Sequence, residues 1–417
     1  MKAIVLFNPA SSGELLKSTA KELGFKVIAV FVHPMKSFEE IYHVQKETLF
    51  RDCDEIIISP DKEEILQKLK ASPFTIAGTI GATEGGVELA DQVANALNLW
   101  RNPIELSKAR RDKGKMRKLL KESGLTCPDF AICYTEEEVR HFANTHLFPL
   151  MIKTPRGVMT SQVYQCDNLA ALLEGFHHIC NTPDIYGEQA DHCVLEEYLS
   201  GKEYVVDTFS DGKSVHVTDI WVYEKISSDT FKNIYYNVIS LPLSDPTLKP
   251  LIDYSIRVAK IFGIERGAAH IELKDDPIRG PTLIEMGARL AGARIPEMVK
   301  KYSNFDPYQA SIEVFVSGKT KIPSPVVFKK HLAIAFFPQM KGGKVKNIRG
   351  IDAIQQLSSY DFHLLGILQG DTIPVSSHAS TIPLIAFFAN SDQAQLLKDL
   401  SAAHQLFKID LSMEETA

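Results

Sequence analysis

Short apolar runs alternate with helically spaced ones through the N-terminal quarter of the chain. Ile4–Phe7 reads as a buried strand, Glu14–Leu23 as a helix and Val27–Val32 as a second strand. Glu55–Ser59 and Phe74–Ala77 read as further strands, and Val87, Ala90, Val93, Ala94 and Leu97 recur at helical spacing. Such alternation predicts a Rossmann-like parallel sheet with helices on its faces. The stretch Gly78-Thr79-Ile80-Gly81-Ala82-Thr83-Glu84-Gly85 is not GxGxxG, so a NAD site there lacks support.

The pattern then changes. Ala109–Ser123 is basic and helical and ends at Gly124, and Phe148–Lys153 predicts a strand with a loop running on to Ser161. Cys193–Tyr198, Glu203–Ser210 and Ser214–Val222 predict strands, the last two joined at Asp211-Gly212, a hairpin signal. Leu251, Tyr254, Val258 and Phe262 mark a helix closed by Gly263, and strands Ala268–Lys274 and Thr282–Glu285 follow. Ser317–Pro325 reads as a linker, beyond which strands around Leu332–Phe337 and Leu384–Phe388 predict a small α+β domain. The class expected is α/β and α+β multidomain, divided at 1–106, 107–320 and 321–417, with a small subdomain at about 125–200.

Composition narrows the function. The 417 residues leave room for two or three domains. A net charge of −6 gives no general field for nucleic acid or anionic membrane, so an anionic substrate has to be held by local cations. No apolar run approaches the ~20 residues of a membrane span. The N-terminal apolar stretch is too short for a secretory signal. The six cysteines form no CxxC pair, which predicts a reduced, cytoplasmic protein.

The most informative chemistry is the pair Glu272 and Glu285. Asp275–Gly280 carries turn residues, so the flanking strands form a hairpin that puts Glu272 beside or diagonal to Glu285. Ala268, His270, Glu272 and Lys274 share one face, and Leu283, Glu285 and Gly287 share the facing one. Two carboxylates that close need a cation between them, and their hard oxygens suit Mg²⁺. Two solvated glutamates on an exposed strand give the same spacing. Against that, Glu285 sits in an apolar strand and leads into the small-residue loop Gly287-Ala288-Arg289-Leu290-Ala291-Gly292.

Three weaker features accompany the pair. Lys153 ends a buried strand and opens a loop holding Arg156, Gly157, Thr160 and Ser161, whose N–H groups and hydroxyls suit phosphate oxygens. Val194-Leu195-Glu196-Glu197-Tyr198-Leu199, then Gly201-Lys202-Glu203, offers an acceptor beside a strand edge, as an adenine requires. Arg110-Arg111-Asp112-Lys113-Gly114-Lys115-Met116-Arg117 opens a basic helix. Taken alone, each reads first as an ordinary solvated surface.

In this order the pieces resemble the ATP-grasp superfamily over roughly Ser107–Gly318, with the preceding parallel-sheet domain that superfamily carries. The loop Leu283–Gly292 is similar to that of the L-amino-acid ligases, which make dipeptides. The resemblance implies ATP and Mg²⁺ (or Mn²⁺) as cofactors, with Glu272 and Glu285 as metal ligands. It assigns Lys113, Lys153, Thr160 and Ser161 to the phosphates, Glu196, Glu197 and Leu199 to the adenine, and Glu203 to the ribose. Arg289 is assigned to the γ-phosphate, the acyl phosphate or the substrate carboxylate, and His270 lines the site beside Lys153 and Arg289. Small amino-acid-like substrates and a homodimer follow from the same likeness.

Two features depart from the pattern: Gly287 stands where many ATP-grasp enzymes carry Asn, although the ligases it resembles tolerate a small residue there, and the phosphate loop is poor in glycine. Ala293, a small residue just past Arg289, suggests a roomy amino-acid pocket. The alternatives are a nucleotide-pathway ligase or biotin-carboxylase-like carboxylase of the same superfamily, or a non-catalytic nucleotide-binding regulator.

Overall fold

A computed structural model describes residues 1–42, 44–228 and 231–412. The chain separates into two compact units, 1–219 with 245–327, and 220–244 with 328–417. Among the described residues no helix is long and apolar enough to cross a membrane.

The first unit begins with a four-stranded parallel sheet of Lys2–Phe7 (β1), Lys26–Phe31 (β2), Glu55–Ile58 (β3) and Thr75–Gly81 (β4), in the order β3-β2-β1-β4. Ala3 to Phe7 and Val27 to Phe31 are wholly buried, as expected of strands covered on both faces. β1 is flanked by β2 on one side and β4 on the other. The crevice at the carboxyl ends of these strands is the usual ligand position in such sheets. The loops there are tied together: Asn8 Oδ1 accepts from Val32 N–H at 2.9 Å, and Thr83 Oγ1 donates to Asn8 O at 3.1 Å.

A second, antiparallel sheet follows: Phe130–Cys133 (β5), Leu150–Lys153 (β6), Val163–Cys166 (β7) and Cys193–Glu197 (β8), in the order β5-β8-β6-β7. Helices Glu136–Thr145 and Leu169–Asn181 pack on it around Val139, Phe142, Leu172, Phe176 and Ile179. Neither helix was expected from the apolar pattern. The capping box at Thr135 and Glu138 starts the first, and the Asn168 side chain caps the second.

A third sheet holds Lys202–Asp211 (β9), the first half of Val215–Ile226 (β10), Arg266–Asp276 (β12) and Gly280–Gly287 (β13), in the order β13-β12-β9-β10. The β9–β10 turn at Asp211-Gly212 forms as expected, with Gly212 in the left-handed region at φ 92°. The basic helix runs only over Lys113–Glu122, because the Asp112 side chain caps it by accepting from Lys115 N–H.

The second unit takes the rest of β10 with Ile234–Leu241 (β11), His331–Phe336 (β14), Gly343–Arg349 (β15), Tyr360–Leu365 (β16), Thr372–Ile373 (β17), Leu384–Asn390 (β18) and Lys408–Ser412 (β19). β11, β14, β18 and β16 are neighbours in that order, and helix Gln393–Leu406 packs on them through Leu396, Leu400 and Ala403.

Candidate active site

The β12–β13 hairpin sets Glu272 directly opposite Glu285, and His270 opposite Gly287. A bulge follows Glu272, so Leu273 pairs with Leu283 and Ile284 is the extra residue. The bulge corrects one expectation: Leu283 does not share the Glu285 face. It is fully buried opposite Leu273, while Glu285 remains beside Glu272.

Each carboxylate has a cation at hand. Lys113 Nζ donates to Glu285 Oε1 at 2.8 Å and to Gly157 O at 3.0 Å. His270 lies between two acids, with Nδ1 at 2.7 Å from Asp207 Oδ1 and Nε2 at 3.2 Å from Glu272 Oε1. Burial acts against its charge, but Asp207 and then Glu272 outweigh it and push the pKa up to about 10. His270 is therefore an imidazolium that donates to both. Asp207 pairs with His270 in the β9–β12 register.

Glu196 is buried and grips two cations. Arg117 reaches it with Nε at 2.9 Å and Nη2 at 3.2 Å, and Lys153 Nζ with 2.7 Å. Burial raises its pKa, but Arg117 and Lys153 overcome that and hold the carboxyl at about 2. Burial also pulls Lys153 below the ordinary lysine value, with Glu196 opposing. One carboxylate between two buried cations leaves positive charge over, a setting that favours an anion nearby. Arg117 Nη2 further donates to Ile284 O at 2.6 Å, which ties the basic helix to the bulge of β13.

The remaining residues border this cluster. Glu197 pairs with Arg279, and Leu199 O accepts from Lys274 Nζ at 2.8 Å. Glu203 is buried at the start of β9, opposite Lys274. Thr160 and Ser161 lie in the loop after β6, where Met159, Thr160 and Gln162 take φ values of 56°, 66° and 53°. Such angles cost roughly 1–3 kcal/mol each in residues other than glycine, so the glycine-poor loop is folded at the expense of strain.

Arg289 pairs with a residue the sequence reading passed over. Its Nε lies 2.8 Å from Glu84 Oε2. Gly287 explains how they meet: a Cβ there would stand 2.6 Å from the same Glu84 oxygen. Gly287 thus leaves room for a carboxylate from the loop after β4. Burial opposes the Arg289 charge, but Glu84, Glu285 and Glu272 raise its pKa.

Glu84, Arg117 and Asp207 are the site residues that sequence reasoning missed. Arg117 had a signal, since it lies four residues beyond Lys113 on the same helical face. Asp207 had one too, as an acid within Val205-Val206-Asp207-Thr208-Phe209. Glu84 had none. Arg110, from the same basic stretch, is structural: wholly buried, it pairs with Asp91 at 2.7 Å and donates to Phe262 O at 3.0 Å.

Two facing carboxylates fit Mg²⁺, which takes one or two of them and completes its shell with water and phosphate oxygens. Among the described residues no group of three or more His, Cys, Asp or Glu is arranged to hold a metal by itself.

Residues 146–297 match the ATP-grasp domain family. The chain is 28% identical to dapdiamide A synthase of Enterobacter agglomerans, over 72% of this chain and 70% of that one. It is 23% identical to alanine–anticapsin ligase of Bacillus subtilis, over 85% and 76%. Its fold matches the crystal structure of an L-amino acid ligase from Bacillus licheniformis with a TM-score of 0.80, 20% identity and 99% of both chains covered. Over residues 146–297 the chain carries an ATP-grasp domain, within a fold shared with an L-amino acid ligase.

Proposed function

We propose that the chain joins the carboxylate of one amino acid to the amine of another, making a dipeptide with release of ADP and phosphate. The observation that carries the reading is the meeting of Glu272, Glu285, Lys113 and Arg289 at one place in an ATP-grasp fold. The names of the amino-acid-joining relatives support the substrate class.

In the first step a substrate carboxylate oxygen attacks the γ-phosphorus of ATP. The bond to the β-γ bridging oxygen breaks, leaving ADP and an acyl phosphate. A neutral amine then attacks the acyl carbon, the C–O bond to phosphate breaks, and the amine proton is lost. Glu272 and Glu285 would hold Mg²⁺, which would supply charge neutralisation for phosphoryl transfer. Lys113 and Lys153 hold the phosphates, Thr160 and Ser161 close over them, and Arg289 neutralises charge on the moving phosphoryl oxygens. Glu196, Glu197 and Leu199 border the adenine and Glu203 the ribose. His270, charged and fixed by Asp207, orients Glu272. The reading includes a cytoplasmic enzyme working as a homodimer.

The test is ADP release with ATP and Mg²⁺ over L-amino acids singly and in pairs. Release that requires a pair, with the matching dipeptide mass, supports the reading. Release that requires bicarbonate instead would assign a carboxylase.

A further inference from the structure

The carboxyl edge of the first sheet carries a group of buried polar atoms that nothing in the proposed chemistry uses. Asn8 follows β1, His33 follows β2, Glu84 follows β4, and Arg111 precedes the Asp112 cap. Asn8 is wholly buried, Glu84 is 4% exposed and Arg111 5%. Among the described residues Asn8 Nδ2, His33 Nε2, Arg111 Nη1 and Glu84 Oε1 have no hydrogen-bond partner. Buried polar groups in folded proteins are nearly always paired, so several orphans in one place point to a ligand.

Their placement is specific. A Cβ on Gly85 would lie 2.4 Å from His33 Nε2 and 3.3 Å from Asn8 Nδ2, so both nitrogens converge on the Gly85 backbone. Asn8 is fixed there because its other atom, Oδ1, holds Val32 N–H. His33 stacks on Tyr186 with ring centres 4.1 Å apart, which fixes its ring. Burial, then the Arg111 charge, lowers the His33 pKa to about 4 against the opposing charge of Asp184, so its ring is neutral.

We propose that this edge is the side-chain pocket for one amino-acid substrate, and that it takes a side chain ending in a carboxamide or carboxylate. Arg111, Asn8 and His33 would meet the oxygen. A carboxamide would offer an N–H to Glu84 as well. The proposal rests on the ligase reading above, and its test separates the two.

Calorimetric titration of the full chain with ADP and Mg²⁺ present would compare L-asparagine, L-glutamine, L-aspartate and L-glutamate with L-leucine and L-methionine. At least one of the first four is expected to bind tenfold or more tightly than both apolar amino acids. Arg111→Gln should erase that preference. Asn8→Asp keeps an oxygen for Val32 N–H but removes the donor, and should weaken the carboxylate side chains tenfold or more. Melting curves establish that each variant folds, and either one suffices if the other does not. Six ligands binding alike, none binding, or a preference unchanged in the folded variants would overturn the pocket. ADP release, measured separately, decides the ligase reading: binding without release sinks that reading alone, and release without polar preference sinks only the pocket.

Discussion

Lys113 stands 2.8 Å from Glu285 and 3.0 Å from the carbonyl of Gly157, so a single ammonium links the proposed metal carboxylate to the loop after β6. Lys113→Ala would leave Glu285 beside Glu272 with one cation fewer. Because Glu285 is 26% exposed, the cost in metal-free protein is expected at the lower end for a broken buried pair, about 1–3 kcal/mol. Mg²⁺ should then raise the melting temperature of the variant more than that of the wild type. Equal Mg²⁺ shifts in the two proteins would argue against a shared carboxylate.

Glu196 gives a prediction in acid. Its folded pKa, about 2, lies below the ordinary value of 4.5, so its contribution is present above pH 4.5 and lost as pH falls toward 2. At 1.36 kcal/mol per unit the loss amounts to roughly 3 kcal/mol. Urea unfolding between pH 5 and 2 should show this extra slope in the wild type and a shallower one in Glu196→Gln. Parallel curves would mean that the Arg117–Glu196–Lys153 cluster is neutral to folding.

Arg289→Ala should lower turnover a hundredfold or more, several kcal/mol of transition-state stabilisation, if Arg289 meets the phosphoryl group. Single-turnover ADP formation with a saturating amino-acid pair measures it. Near-normal rates would remove Arg289 from the chemistry.

Gly287→Asn introduces a larger side chain beside Glu84 and should be harmful. Its Cβ would press on Glu84 Oε2 and part Glu84 from Arg289. A loss of about 1–3 kcal/mol is expected, as for overpacking elsewhere. In a Glu84→Ala background the same substitution should cost markedly less, which a double-mutant cycle by thermal melting would read.

Much of this was written locally in the chain. The turn at Asp275–Gly280 made the β12–β13 hairpin legible, and with it the meeting of Glu272 and Glu285. The parallel sheet was legible because β1 and β2 are unbroken apolar runs. The bulge at Ile284 was not, since it reflects how two strands fit each other and carries no composition of its own. Helices Glu136–Thr145 and Leu169–Asn181 announced themselves only through their caps. The Glu84–Arg289 pair spans 205 positions and exists only once the chain has folded.

That pair has a bearing on how such a protein diversifies. Glu84 belongs to the loop after β4, beside the orphaned side chains at the sheet edge, while Arg289 belongs to the loop after β13. If the sheet edge receives a substrate side chain and Arg289 meets the phosphoryl group, as proposed, an insertion or exchange in the Thr83–Gly86 turn would alter both in one stroke. On that reading selectivity and speed would be joined at this turn, and descendants of this chain would change them together or leave both alone.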